Sequence, residues 1–288
     1  LKKILLKYRP DFFIAHLIIS LPLILFSIYK FNTKLVIRIS GKPKLNFFRK
    51  FLWKKTSKNV FKVFCPTEET RNVLIEEKIF DQSKVFVLHD PIFSIKEIKH
   101  LQKEEIKDKN FKKNNIILVG RITKQKNFGL ILEAYKKNKD LYHEYKVFIL
   151  GEGEMQNNLK KKIKMYNLDK KIFFLGHKKN IYKYLANSKL FILTSLWEDP
   201  GFVLVESAIN NISILSSNCQ SGPEEIIGKN EDGGYLFDSN NLISLNKKFN
   251  LFINDNEKNV LRKKIYVKKN VRKYSIFRHT TALENYLS

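Results

Sequence analysis

The sequence has few cysteines, and no part of it resembles a secretory signal. Its 288 residues include two cysteines, Cys65 and Cys219, which lie far apart and form no C-x-x-C pair. This pattern argues against a disulfide scaffold or a cysteine-bound metal and indicates a reducing compartment, while a single disulfide between the two stays open. No stretch combines an apolar centre with a small-residue cleavage site. We therefore expect a cytoplasmic protein.

Arginine is scarce in a strongly basic chain. Lysine and arginine total 54 against 28 aspartates and glutamates, which gives a net charge of +26. Such a charge raises nucleic acid, anionic membranes and anionic substrates as partners. Only eight of the basic residues are arginines, however, and proteins that read nucleic-acid sequence rely on arginine. Zinc-finger spacings and RNA-binding aromatic signatures are also absent, so we expect no nucleic-acid partner and leave an anionic membrane surface open.

The sequence also lacks an apolar run that is clearly long enough to cross a membrane. The most apolar window, Phe12–Tyr29, is short for a span and is interrupted by polar residues and by Pro22. We therefore predict a strand at Asp11–His16 and a buried helix at Leu21–Tyr29. A membrane span stays as the less favoured alternative.

A basic and aromatic stretch, Asn46–Asn59, comes later in the same half of the chain. Phe48, Phe51 and Leu52 have helical spacing, with basic residues between them. We predict an amphipathic helix that packs these residues on the core. The alternative is a surface that meets anionic lipid head groups.

Strand-like runs alternate with helical patterns along the whole chain. With 43% hydrophobic residues, a chain of this length has enough apolar material for two domains. The alternation predicts the α/β class with parallel sheets, which bind ligands at loops that follow the strands. The predicted strands after the first are Lys34–Ile39, Val60–Cys65, Lys84–Leu88, Asn115–Val119, Lys146–Leu150, Lys171–Leu175, Lys189–Thr194 and Ile212–Ser216.

The chain from Ser195 to Glu206 has the features of an anion-binding turn. It follows the strand Lys189–Thr194 and passes through Asp199-Pro200-Gly201 into an apolar helix, Phe202–Ile209. Pro200 suits a first helical position because its missing N–H would be unpaired there. Backbone N–H groups at a helix N-terminus attract phosphate. The groups predicted to do so here belong to Gly201, Phe202 and Val203.

Two carboxylates bracket this turn. Glu198 precedes the helix and Glu206 lies within it among apolar residues. A carboxylate in such surroundings is costly unless it is paired or hydrogen-bonded, and sugar or ribose hydroxyls are suitable partners. The alternative is that Glu198 complements the helix dipole and Glu206 points to solvent.

Glu198 and Glu206 are separated by seven residues, and this spacing resembles the E-x7-E signature of the retaining GT-B glycosyltransferases of family 4. Three further segments carry the same resemblance, to the family's G-R-…-K-G segment, its G-x-G-x turn and its S-G-P-x-E-I turn. They are Gly120–Asn127, Gly151–Glu154 and Ser221–Ile226. Asn127 stands where the family usually has glycine. In the third segment, Ser221 is the predicted N-cap of a short helix.

The resemblance implies a role for each matching residue. Arg121 and Lys126 would hold the donor diphosphate and stabilise it as the leaving group. Glu198 would contact the donor sugar and complete the predicted catalytic set, and Glu206 would bind the ribose hydroxyls. The other predicted donor-binding residues are Gly120, Pro200, Gly201, Phe202 and Val203, with Gly176 and His177 beside the nucleotide base.

The resemblance also implies the GT-B fold, an α/β architecture of two Rossmann-like domains whose parallel sheets face a cleft. The expected parts are a partial acceptor-side domain with a connector at 1–105, a donor-binding domain at 106–265, and a helix crossing back to the first domain at 266–288. The family's first strand and glycine-rich loop find no match, so the first domain is expected to be incomplete.

Ser40 and Gly41 follow the strand Lys34–Ile39 and are predicted to form an acceptor-side loop. Many relatives carry a histidine in this loop. Because Ser40 stands in its place, no catalytic base is assigned.

The expected activity is retaining transfer of a sugar from a UDP- or GDP-linked donor to a hydroxyl acceptor, without a metal or another cofactor. The expected acceptor is a bacterial surface polysaccharide, a lipopolysaccharide or a lipid-linked glycan, at the cytoplasmic face of the inner membrane. Two alternatives stay open. They are a basic, non-catalytic protein that binds membrane or nucleic acid, and an inactive GT-B fragment.

Overall fold

The computed structural model describes residues 1–41, 43, 45–111, 115–198 and 200–288. Asp199, part of the predicted turn, lies outside the described residues. The chain divides into two compact units, one of Leu1–Asp90 with Thr281–Ser288 and the other of Pro91–Thr280. Residues 91–105, which the sequence placed with the first domain, thus belong to the second unit. There Ile92 N donates to Tyr274 O, and the side-chain amide of Asn180 donates to Leu101 O.

The described part of the first unit forms a four-stranded parallel sheet in the order β1-β2-β3-β4. Its elements are α1 (Lys2–Tyr8), β1 (Phe12–His16), α2 (Ser20–Ile28), β2 (Lys34–Arg38), α3 (Phe47–Thr56), a 3-10 turn (Ser57–Asn59), β3 (Val60–Cys65), α4 (Glu68–Glu76), a 3-10 turn (Gln82–Lys84) and β4 (Val85–Val87). The predicted strands are confirmed here, and Phe12–Tyr29 forms β1 and α2 with a turn between them. Within the described ranges, none of the helices combines the length and the apolarity that a membrane crossing requires.

The described part of the second unit forms a six-stranded parallel sheet in the order β10-β9-β8-β5-β6-β7. Its elements are α5 (Ile95–Leu101), β5 (Ile116–Val119), α6 (Gly129–Lys137), α7 (Lys139–Tyr142), β6 (Val147–Leu150), α8 (Gln156–Met165), β7 (Ile172–Gly176), α9 (Tyr182–Ala186), β8 (Leu190–Leu193), α10 (Phe202–Ile209), β9 (Ser213–Asn218), α11 (Pro223–Ile227), β10 (Tyr235–Asp238), α12 (Leu242–Ile253), α13 (Glu257–Asn270) and a 3-10 turn (Val271–Tyr274). The last helix, α14 (Ile276–Leu287), begins in this unit and ends in the first.

The second sheet is buried on both faces, which explains its apolar strands. In β5, Ile116 and Leu118 pack into one hydrophobic layer, whereas Ile117 lies in the layer on the opposite face. Successive strand residues point to opposite faces, and a parallel sheet covered by helices needs apolar side chains on both. The strands therefore appear in the sequence as continuous hydrophobic runs.

The aromatic helix α3 differs from its prediction. The helix forms at Phe47–Thr56 and is capped by Asn46, whose side chain accepts from Arg49 N. Its buried side chains are those of Trp53 and Thr56, however, while Phe48 is 81% exposed. The prediction of a helix is confirmed, and the prediction that its phenylalanines pack on the core is wrong. Helical spacing identified an apolar face without showing that a neighbouring element covers it.

The two cysteines are buried in different units and form no disulfide with each other. Cys65 ends β3 within the hydrophobic layer of the first sheet. Burial raises the pKa of the Cys219 thiol to about 11. The disulfide that the sequence left open is therefore absent from this structure.

Candidate functional site

The candidate site lies where the strand order of the second sheet reverses. From β5 the chain proceeds to β6 and β7 on one side, and then returns to β8, β9 and β10 on the other. In parallel sheets of this kind, ligands bind outside the carboxyl ends of the strands at such a reversal. The loops after β5 and β8 contain Gly120–Lys126 and Ser195–Glu198, and they are therefore neighbours.

Hydrogen bonds join these two loops directly. Leu196 N donates to Gln125 O at 2.8 Å, and Gln125 Nε2 donates to Trp197 O at 2.9 Å. The Thr194 hydroxyl donates to Lys126 O at 2.7 Å. One main-chain hydrogen bond and the side chains of Gln125 and Thr194 therefore hold the two loops together.

The two loops bring Lys126 and Glu198 into contact. Lys126 Nζ lies 2.5 Å from Glu198 Oε1, and the Ser195 hydroxyl donates to the same oxygen at 2.5 Å. Glu198 is 6% exposed, so its charge is compensated by an ammonium and a hydroxyl rather than by water. Two of the three predicted catalytic residues therefore form one buried cluster.

Arg121 and Gly120 lie at the other end of the first loop. Arg121 is exposed. The methylenes of Lys126 lie over Gly120, and a Cβ at position 120 would come within 3.2 Å of Lys126 Cε. Asn127 has a φ of +49°, a left-handed conformation that glycine and asparagine adopt most easily. This conformation explains why asparagine can replace the family's glycine here.

A third loop, after β9, supports the loop that contains Glu198. Glu198 N donates to Gln220 O at 3.1 Å. Gly222, at φ +119°, passes so close to Pro200 that a Cβ on it would lie 1.9 Å from Pro200 O. The turn around Gly222 therefore supports the loop that contains Pro200 and Glu198. The prediction that Ser221 caps α11 is wrong, because the N-cap is Gly222 and Ser221 has a φ of +65°.

Helix α10 has its predicted bounds, Phe202–Ile209, but the turn that leads into it differs from its prediction. Gly201 is the N-cap, with a φ of +85°, and the helix begins at Phe202. Pro200 therefore precedes the cap instead of occupying a first helical position, because the chain needs a left-handed residue to enter the helix. Phe202 is exposed and Val203 is buried. The predicted donor N–H groups lie at this helix N-terminus.

Glu206 lies on α10, apart from the cluster of Lys126 and Glu198. The Tyr182 hydroxyl of α9 donates to Glu206 Oε1 at 3.4 Å. Burial raises the pKa of the Glu206 carboxyl to about 7, and the tyrosine hydrogen bond opposes that rise. Glu206 thus lies in largely apolar surroundings, where an added hydroxyl donor would stabilise its ionised form.

Gly176 ends β7 and His177 follows it, on the other side of β5 from β8. Gly151 N donates to Gly176 O at 2.9 Å, and His177 N donates to the Glu152 carboxylate at 3.3 Å. The predicted G-x-G-x turn and the predicted base-contact loop are therefore adjacent. Ser40 and Gly41 lie in the first unit, after β2, where Ser40 is exposed.

The sequence did not identify Ser195 and Tyr182, which hydrogen-bond to the two glutamates. A hydroxyl residue three positions before an acidic one is a recognisable local signal for Ser195. Tyr182 comes from a different helix and carries no such signal. Among the residues that the structure describes, no group of three or more His, Cys, Asp or Glu is arranged to hold a metal ion.

Comparisons with known proteins agree with this geometry. The family model described as glycosyl transferases group 1 matches residues 101–270. A curated relative from Campylobacter jejuni, N-acetylgalactosamine-N,N'-diacetylbacillosaminyl-diphospho-undecaprenol 4-alpha-N-acetylgalactosaminyltransferase, is 31% identical over 160 residues, covering 56% of this chain and 42% of the relative.

Two solved structures are similar over 99% of the chain. One is a glycosyltransferase from Rickettsia africae, with a TM-score of 0.82, 19% identity and 78% of its own chain covered. The other is Anabaena Alr3699/HepE in complex with UDP, with a TM-score of 0.79, 16% identity and 80% covered. These similarities and the two parallel sheets confirm the predicted GT-B fold. The chain spans only 60% and 42% of the length of the first two curated relatives that it matches.

Proposed function

The chain belongs to the glycosyl transferases group 1, and we propose that it transfers a sugar from a nucleoside-diphosphate donor to a hydroxyl acceptor with retention of configuration. The observation that carries this proposal is the cluster at the strand reversal. There a cation, a carboxylate and a helix N-terminus lie on loops that hydrogen-bond to one another. The UDP in the complex of the similar Anabaena protein makes a uridine nucleotide the first donor to test.

In this proposal the diphosphate binds to Arg121, to Lys126 and to the N-terminus of α10. Arginine and lysine supply charge-assisted hydrogen bonds to phosphate oxygens. The unpaired N–H groups at the start of a helix add further donors. These groups stabilise the charge that develops on the leaving diphosphate, so we propose that the reaction needs no metal ion.

Glu206 binds the ribose hydroxyls in this proposal. Its carboxyl is held in apolar surroundings with one weak hydroxyl donor from Tyr182. Two ribose hydroxyls would donate hydrogen bonds to the Glu206 carboxylate in addition to the one from Tyr182. These hydrogen bonds would favour the ionised form of the carboxylate.

Calorimetric titration of UDP, GDP and ADP tests the donor site. We expect the protein to bind one of them, and we expect Arg121→Ala and Glu206→Ala each to weaken that binding by about 10-fold to 100-fold, because each removes a charged hydrogen-bonding partner. Glu76→Gln is a matched control, since it removes an exposed carboxylate from the first unit. If the wild type binds none of the three, or if both variants bind as well as the control, the donor-site assignment is wrong.

We propose a glycan or lipid-linked glycan as the acceptor. The Campylobacter relative is named for an undecaprenol-linked glycan acceptor, and another from Escherichia coli is named for a GlcNAc-diphosphoundecaprenol acceptor. An enzyme with such an acceptor works at a membrane surface. We therefore also propose that the chain associates peripherally with anionic lipid at the cytoplasmic face.

Helix α3 has the chemistry for this association. Phe47, Phe48 and Phe51 are 79%, 81% and 61% exposed. Lys54 and Lys55 are exposed in the last turn, and the helix contains no acidic residue. Aromatic side chains insert at the head-group level, and lysines beside them are attracted to anionic lipid.

Sedimentation with vesicles tests the lipid contact. We expect the protein to bind phosphatidylglycerol-containing vesicles more strongly than phosphatidylcholine vesicles. Phe48→Ser with Phe51→Ser should weaken this binding at least about 10-fold, because two large apolar side chains no longer enter the lipid. The control is Ile243→Ser, which changes an equally exposed residue, 82% accessible, in the second unit. Equal sedimentation of all three proteins would contradict the lipid assignment.

A further inference from the structure

We propose that Glu198 is a displaceable counter-ion of Lys126, and that it makes the site prefer the intact sugar nucleotide to the free nucleoside diphosphate. This inference rests on the proposed function. Lys126 Nζ lies 2.5 Å from Glu198 Oε1, and the roles proposed above for the two residues do not account for this contact. The side chain proposed to hold the diphosphate is therefore paired with the side chain proposed to contact the sugar.

The pair is shielded from water, so separating it has consequences for the carboxylate. The Lys126 and Glu198 side chains are 15% and 6% exposed. A buried ion that loses its partner is destabilised far more than an exposed one. When Lys126 turns towards a phosphate, Glu198 keeps the hydrogen bond from Ser195 but no longer has the ammonium to itself.

The intact donor and the free nucleoside diphosphate interact differently with Glu198 once Lys126 has moved away. A sugar nucleotide brings hydroxyl groups, which can donate hydrogen bonds to the carboxylate in place of the ammonium. A free nucleoside diphosphate lacks the donor sugar and carries more negative charge on its terminal phosphate, which the carboxylate repels. Moving the Lys126 ammonium from Glu198 to a phosphate thus costs little free energy when the donor binds and much when the nucleoside diphosphate binds. Glu198 therefore favours release of the nucleoside diphosphate product.

The position of Lys126 supports such an exchange. Its methylenes lie against Gly120, and its backbone carbonyl accepts the hydroxyl of Thr194. The base of the side chain is therefore fixed, and a rotation near its end is enough to move the ammonium between two anionic partners. Ser195 is fixed as well, because the Ser217 hydroxyl donates to Ser195 O at 2.7 Å.

Titrations of UDP and UDP-glucose into two variants test the inference. If the protein binds GDP or ADP instead of UDP, that nucleotide and its glucose derivative are used. We expect Glu198→Gln to bind UDP about 10-fold more tightly than wild type, because the competing charge is gone, and to bind UDP-glucose no more tightly. Ser195→Ala should act in the opposite direction and weaken UDP binding by about 3-fold, because the carboxylate then depends more on Lys126. Glu76→Gln should change neither affinity.

The outcomes separate the inference from the function on which it rests. If wild type binds UDP and Glu198→Gln binds it equally or less well, the counter-ion role is wrong while the donor site stands. If no nucleotide binds to wild type or to either variant, both are wrong. If thermal melting shows that Glu198→Gln is unfolded, the change in UDP affinity of Ser195→Ala tests the inference instead. Tighter UDP binding by Ser195→Ala than by wild type overturns the inference.

Discussion

Gly222→Ala is expected to destabilise the second unit by about 3–5 kcal/mol, which lowers Tm by roughly 10 °C. Two independent costs add. The φ of +119° is strained for alanine, and the new Cβ would lie 1.9 Å from Pro200 O and 2.6 Å from Pro200 C. Because both groups are backbone, no side-chain rotation relieves the clash. Chemical denaturation followed by circular dichroism measures the loss.

Gly129→Ala is the matched control for this substitution. Gly129 is the first residue of α6 in the same unit, and a Cβ there would meet only Leu159 Cδ2, at 3.7 Å. We expect a change of less than about 1 kcal/mol, in the stabilising direction, because alanine favours the helix. Similar stability of the two variants would contradict the close packing of Gly222 on Pro200. Residual folded Gly222→Ala should also bind nucleotide weakly, since Pro200 and Glu198 share one loop.

Glu206→Gln is expected to stabilise the protein at pH 8 by up to about 3 kcal/mol and to have little effect at pH 4. In the unfolded chain the carboxyl ionises around the ordinary value of 4.5, whereas in the folded protein burial raises its pKa to about 7. Between these values the unfolded state binds fewer protons, so this group makes stability fall as pH rises. The penalty approaches its full value about one pH unit above the folded pKa and is constant beyond that.

Urea denaturation of wild type and variant between pH 4 and pH 8 measures this difference. Other groups titrate over the same range, so the quantity of interest is the free energy of unfolding of the variant minus that of wild type. Glu76→Gln again serves as the control, because it removes an exposed carboxylate. A difference for Glu206→Gln that is independent of pH would show that folding leaves the pKa of Glu206 unchanged, which would contradict the prediction.

The sequence predicted the strands well because each had to be apolar on both faces. Val60–Cys65 forms as predicted, and the other strands differ at most by a few terminal residues. The turns that lead into helices were harder to predict. The entry into α10 depends on the left-handed conformation of Gly201, which proline statistics do not reveal. The exposure of Phe48 depends on which elements lie beside α3, and hydrophobic spacing carries no such information.

For the candidate site, the sequence identified residue types better than contacts. Lys126 and Glu198 were each recognised from a local motif, but their pairing depends on β5 and β8 being neighbours in the sheet. The contact between Tyr182 and Glu206 joins two helices, and no local motif predicted it. Motifs thus identified candidate residues, while the sheet order determines which of them touch.

The strand order also has a consequence for how the protein folds. β5 pairs with β6, the next strand along the chain, and also with β8, where Ile116 lies opposite Leu190. β6, β7 and their helices separate β5 from β8 in the sequence. Closing so long a loop costs chain entropy, and contacts between residues distant in the sequence form slowly for this reason. During synthesis the polypeptide must emerge past β8 before the nascent chain can form this pairing, so the part of the molecule proposed to recognise the nucleotide cannot assemble before then.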